Sequence, residues 1–201
     1  MRLVLLEIIR GQVMHRIFVK WGLQMEYKLC HNNIEQLIQF GFKINWTLLR
    51  IGYLGYDFIW PLFTKEDIVT YAIKQLEWAD NYLVANLVSE ENDNYEFEMI
   101  LERMAKNEDV NIEIQLRKLR VLIVFRHLKT LPNDYTDGLI ELTEIWVSLG
   151  MPDDCPHIIQ GRNNSLSPDI YYTKEMYDAL KKKNFDWLNE EISYIISTEK
   201  K

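Results

Sequence analysis

Two Cys–His pairs are the residues best suited to chemistry in this 201-residue chain. His31 directly follows Cys30, and His157 stands two residues after Cys155. Together they hold the soft ligands that a structural zinc ion takes. Adjacent side chains point in different directions on a helix, however, and structural zinc sites space the ligands of each pair further apart. The spacing therefore predicts no metal site and no cofactor, with a buried Cys and surface or capping His instead. His15 and His127 have no Cys, Ser or acid at a spacing that suggests a proton relay.

Neighbouring carboxylates occur at Glu90-Glu91, Glu108-Asp109, Asp153-Asp154 and Glu190-Glu191. Acid–base or metal chemistry needs acids that converge from different elements into a concave site. Adjacent acids in turns are, in the plainer reading, solvated helix starts. No Gly-rich phosphate loop, GxSxG or HExxH is present. Lys181–Lys183 could touch phosphate, but three lysines before Asn184 also suit the negative end of a helix dipole. Two glycosylation sequons, at Asn45 and Asn163, read as chance matches without a secretory signal. No catalytic residue is predicted.

Charge distribution carries more information. Ten acids between Asp80 and Glu113 face only Arg103 and Lys106, a local −8. Directly afterwards Arg117, Lys118, Arg120, Arg126 and Lys129 carry +5. In the plain reading two antiparallel helices let these charges partly satisfy each other at a solvated face. In the functional reading Glu90, Glu91, Asp93, Glu96 and Glu98 form an acidic patch that docks onto a basic protein surface. Complementary potentials of that kind raise the association rate and choose the partner. A net charge of −7 gives no reason to expect nucleic-acid binding. Two cysteines make no disulfide framework, so a reducing cytoplasm is expected.

The elements that position these residues read as helices throughout. Ile112–Leu131 runs about twenty residues without Gly or Pro, its row Ile112, Leu116, Leu119 and Ile123 widened by Leu122, Phe125 and Leu128. A stripe that broad needs cover from several neighbours. The β-branched and aromatic Val121–Phe125 would also suit a buried strand, but the length without a turn favours a helix. Further helices are predicted after Asn32 or Asn33, Asn45, Thr64, Asp80 or Asn81, Asp93 and Thr136, with Gly150-x-Pro152 as a stop. Cys155–Arg162 reads as a helical turn, and Thr173–Lys183 and Phe185–Ser197 as two last helices. The expected fold is all-α with no strand: an irregular multi-helix bundle or an α-solenoid-like stack of antiparallel helices. No fixed repeat is found.

Residues 1–24 read as an appended N-terminal helix, and 25–201 as a single helical domain. The first segment has an i+4 row, Leu5, Ile9, Val13, Ile17 and Trp21, and a charge of +3. Its unbroken apolar run, Leu3–Leu6, falls far short of the ~20 residues of a membrane span. Packing on the domain, a membrane-surface helix and an over-long start stay open for it.

Several stretches resemble a known family. Asn45-Trp46-x-x-Leu49, Lys65-Glu66-Asp67-Ile68-Val69-x-Tyr71-Ala72, Leu83-Val84-x-x-Leu87 and Gly150-Met151-Pro152-Asp153-Asp154 before Ile158-Ile159 are similar to domain-of-unknown-function family 2247, a bacterial helical family. The resemblance runs from about Met25 to Ile196 and implies no assigned activity. It implies an accessory or immunity-type protein of the kind found beside bacterial toxins. The expected function is a non-catalytic, cytoplasmic protein-binding domain, in its sharpest form an inhibitor whose acids cover a toxin's basic cleft. The alternatives are a small enzyme whose acids or Tyr residues converge only in three dimensions, and a helical scaffold with a concave groove. A deep pocket of converging polar groups would distinguish the enzyme.

Overall fold

Apolar side chains on nearly every side of Ile112–Thr130 make this helix the centre of the molecule. The structure, a computed structural model, describes residues 27–77, 81–89 and 93–200. Among these are nine helices: α1 Asn33–Gln39, α2 Trp46–Leu54, α3 Lys65–Leu76, α4 Tyr82–Leu87, α5 Asn94–Lys106, α6 Ile112–Thr130, α7 Tyr135–Ser148, α8 Pro168–Tyr171 and α9 Lys174–Thr198. The described residues form no strand, only an isolated bridge between Tyr56 and Ile59. Residues 1–24, expected as an appended helix, lie outside the described range.

Helices α1, α2, α7 and α9 all pack on α6. The buried face takes in Leu119, Leu122, Phe125 and Leu128 of the expected stripe and adds Val121 and Val124. Cover arrives from four helices, as a stripe that broad requires, while Ile112 is exposed and Leu116 and Ile123 are half-buried. An outer layer runs α3 on α4, α4 on α5 and α5 on α2. Helix α2 therefore stands between α5 and α6. It runs antiparallel to α5, as Thr47 bonding Ala105, Arg50 paired with Glu102 and Tyr53 edge-on to Phe97 show. Sequential stacking holds only from α3 to α5. The return of α9 to α6 and α7 makes the whole an irregular bundle.

Local capping chemistry sets most helix starts. The side chains of Asn32, Asn45, Asn81, Asp93, Asn111 and Thr173 each accept a first-turn N–H. Thr64 and Asp67 form a reciprocal capping box. Asp134, not Thr136, caps α7. Gly52 lies inside α2, where a Cβ would meet the Phe63 ring at 2.1 Å. Its lack of a side chain lets the chain after α2 close tightly on the helix.

Two expectations fail for tertiary reasons. Cys155–Arg162 is not helical; it is held by side chains, with Tyr171 Oη donating to Ile158 O at 2.9 Å and Asn164 Nδ2 to Ile159 O at 2.7 Å. The two expected last helices are one, α9, because Asn184 is no break. It is fully buried, its Nδ2 donating to Leu180 O at 2.8 Å while its Oδ1 accepts from Trp146 Nε1 at 2.6 Å. Lys181–Lys183 consequently stand mid-helix, not at a helix end.

Glu108 ties the start of α2 to the loop after α5. Its carboxylate accepts from Trp46 N at 2.9 Å, Thr47 N at 2.8 Å and Thr47 Oγ1 at 2.9 Å. Hydrogen bonds to a charged group are worth about 1.5–3 kcal/mol each, with losses at one site overlapping. Glu108→Ala is expected to lower stability by about 2–3 kcal/mol in urea unfolding, and Glu108→Gln by less.

Candidate functional site

The basic run of α6 does not meet the acids of α5. Arg117 makes a two-point ion pair with Glu191 of α9 and lies over the Tyr194 ring. Lys118 pairs with Glu199, Arg120 with Asp154 in the α7–α8 loop, and Arg126 with Asn33 of α1. The expected mutual neutralisation fails because α2, with one arginine near α5, occupies the place between the two helices. That arginine, Arg50, together with Lys106, engages Glu102.

The acid run also divides into two ends of α5. Thirteen residues of helix separate them by about 20 Å. Glu108 caps α2 and Asp109 borders a groove at the far end. At the near end Asp93 caps α5 through Glu96 N at 2.8 Å. Glu96 is exposed, Glu98 is half-buried, and neither has an ion pair among the described residues. Glu90 and Glu91 lie outside the described residues.

Helical geometry sets what surrounds these acids. Phe97, Leu101 and Met104 form the buried face of α5. The opposite row carries Tyr95, 70% exposed, and Met99, 55% exposed. At 100° per residue Glu96 falls on one flank of that row and Glu98 on the other. Tyr82, 76% exposed, opens the adjoining helix α4. On the α2 side Glu98 is joined by Glu66 from the first turn of α3. Burial first, then these two carboxylates, push the Tyr53 phenol up. The sequence singles out none of Tyr82, Tyr95 and Met99, and Glu66 only as part of the stretch that carries the family resemblance. The available signal was the i, i+4 pair Tyr95–Met99 on the face opposite Phe97–Leu101, which only reads as outward once the buried face is fixed.

A groove of about 420 Å³ lies at the other end, bordered by Lys43, Asn45, Asp109, Asn111, Gln115 and Glu199. Its polar groups are mostly engaged with each other. Lys118 Nζ, beneath it, donates to Lys43 O at 2.7 Å and Gln115 Oε1 at 2.9 Å and pairs with Glu199. Asn45 Nδ2 donates to Gln115 Oε1 at 3.0 Å, and Asn45 and Asn111 cap helices. This is a structural network, without a nucleophile and base in contact.

Cys30 precedes α1 and Cys155 lies in the α7–α8 loop, both as free thiols. Burial pushes the Cys155 thiol up to about 11, so it is protonated and unreactive near neutral pH. Among the described residues no three His, Cys, Asp or Glu side chains are placed to hold a metal ion. No described helix is long and apolar enough to cross a membrane.

Residues 34–192 match the model of the family described as an uncharacterised protein conserved in bacteria, DUF2247. The chain belongs to this family. The match includes each stretch that carried the resemblance, from Asn45-Trp46 to Ile158-Ile159. No curated protein and no solved structure matches the chain. Membership in DUF2247 brings the bacterial setting, and the helices come from the structure.

Proposed function

We propose that this DUF2247 chain is a non-catalytic, cytoplasmic protein-binding domain that docks a basic protein through the start of α5. In its sharpest form it is an immunity-type inhibitor whose acids cover the basic cleft of a bacterial toxin. One observation carries the reading: α6 cations are engaged elsewhere, so Glu96 and Glu98 flank exposed Tyr95 and Met99 without partners among the described residues. Tyr and Met surrounded by charge match the composition of protein interfaces, where aromatic anchors contribute affinity and the charged rim steers the encounter. Glu90 and Glu91 belong to the same acidic stretch and extend it in sequence.

The test is kinetic. The partner is captured from the host with the full chain, purified, and mixed with wild type and with the double variant Glu96→Lys, Glu98→Lys in stopped flow. Reversal of two rim charges is expected to slow association about tenfold or more at low salt and to change dissociation little. An association rate indifferent to the reversal removes the proposal.

A further inference from the structure

The connection between α2 and α3 holds a second set of exposed apolar side chains on a backbone that is pinned. Leu54, Tyr56, Phe58 and Trp60 are all exposed within seven residues, Phe58 at 61% and Trp60 at 72%. Single exposed apolar residues are ordinary on a monomer, whereas a contiguous group marks an interaction site. Tyr56 and Ile59 exchange both backbone hydrogen bonds, at 2.9 and 2.8 Å. Between them Asp57 adopts φ +48°, a left-handed conformation that non-glycine residues rarely take. Ile59 and Phe63 are buried as roots, and Leu62 N and Phe63 N both donate to Gly52 O. Phe58 rests on the backbone at Gly150, where a Cβ would meet its ring at 2.7 Å. A turn held this firmly presents Phe58 and Trp60 with little backbone entropy left to lose on binding.

Its position connects it with the acids. Because α2 and α5 are antiparallel, the turn leaves α2 at the end where α5 begins. Tyr53, one residue before Leu54, packs on Phe97 and feels Glu98 and Glu66. Asp57, Glu66, Asp93, Glu96 and Glu98 therefore share that end of the molecule with the aromatic turn. A second copy of this chain would bring the same carboxylates against them, on a molecule of net charge −7. A surface rich in Arg and Lys complements them, and guanidinium groups also stack on aromatic faces.

We propose that Phe58 and Trp60 are the apolar anchors of the proposed interface, seated in recesses of a partner protein whose surrounding surface is rich in Arg and Lys. This inference rests on the acidic-surface reading and adds the residues that hold the partner once it is steered in. The test is photo-crosslinking of the full chain in a bacterial host, with a benzophenone amino acid replacing Trp60 in one variant and Tyr95 in another. Adducts are mapped by mass spectrometry. The expected result is adducts at both positions with one partner protein, through Arg- and Lys-rich peptides. Adducts from position 95 alone overturn the anchor role and leave the acidic surface standing. No partner at either position overturns both. Crosslinks from position 60 to this chain's own residues 1–24, to a second copy, or to an acidic peptide also overturn the anchor inference. Against the purified partner, Trp60→Ala is expected to weaken binding at least ~30-fold with unchanged thermal unfolding, the mark of a hot spot. Unchanged affinity contradicts it.

Discussion

Glu199→Ala is expected to destabilise the fold by about 3–5 kcal/mol, and Lys118→Met by less. Lys118 lies at the heart of the molecule with no exposed surface. Its ammonium group has two neutral acceptors, Lys43 O and Gln115 Oε1, and one carboxylate partner, Glu199. Burial drives the Lys118 pKa down from the usual lysine range, while Glu199 pulls it back up. Alanine at 199 leaves an uncompensated buried charge, and also frees Lys43 N from the Glu199 carboxylate. Methionine at 118 removes the charge and keeps much of the volume. Glu199 borders the groove, so water can reach its carboxylate in that variant. The cost then reduces to Lys43 O left without its donor, since Gln115 Oε1 keeps Asn45 Nδ2, about 1–3 kcal/mol. Urea unfolding of both single variants and the double variant checks this. The double variant should recover much of the loss seen in Glu199→Ala, and a Glu199→Ala loss below that of Lys118→Met contradicts the argument.

Acid is expected to weaken the fold between pH 6.5 and about 4 through His157. This side chain is buried, with Nε2 2.9 Å from Thr143 Oγ1 and 3.2 Å from Tyr171 Oη. Thr143 Oγ1 already donates to Leu139 O and Tyr171 Oη to Ile158 O, each at 2.9 Å. The network therefore assigns the proton to Nε2 and leaves Nδ1 a bare lone pair, buried without a partner. Protonating Nδ1 would place a charge and an unsatisfied N–H in the interior, and burial lowers the His157 pKa from 6.5 to about 4. The unfolded state binds the proton first, near pH 6.5, so stability present above that pH is lost as pH falls through the folded value. The two pKa values, 6.5 and about 4, put the loss on the order of 3 kcal/mol. Unfolding free energy followed against pH should flatten over this window in His157→Gln. A variant with the wild-type slope would assign the acid sensitivity elsewhere.

The parts of the fold legible in sequence are those with local causes. Asn45, Thr64, Asp93 and Thr173 announce helix starts because a short oxygen-bearing side chain satisfies an N–H two or three residues on. The central helix is legible because twenty residues without a breaker carry an apolar stripe broad enough to demand cover on several sides. What failed depends on distant partners. Asn184 after three lysines looks like a surface stop until Trp146, far away in sequence, supplies its hydrogen bond. Arg117 and Arg120 look like partners for the preceding acids until α9 and the α7–α8 loop reach them first.

The candidate surface divides along the same line. Asp93, Glu96 and Glu98 could be named from charge alone. Tyr82, Tyr95, Phe58 and Trp60 could not, since an aromatic residue in a helical chain is more often core. Their exposure follows from which face of α5 meets α2 and from the tight turn after Gly55, both tertiary facts.

Hydrogen–deuterium exchange of the full chain, alone and with its captured partner, tests the central claim most directly. Protection is expected at the first turns of α5 and in the turn at residues 56–60. Protection confined to the groove around Asn111 and Glu199 would contradict the account and move the site to the opposite end of α5.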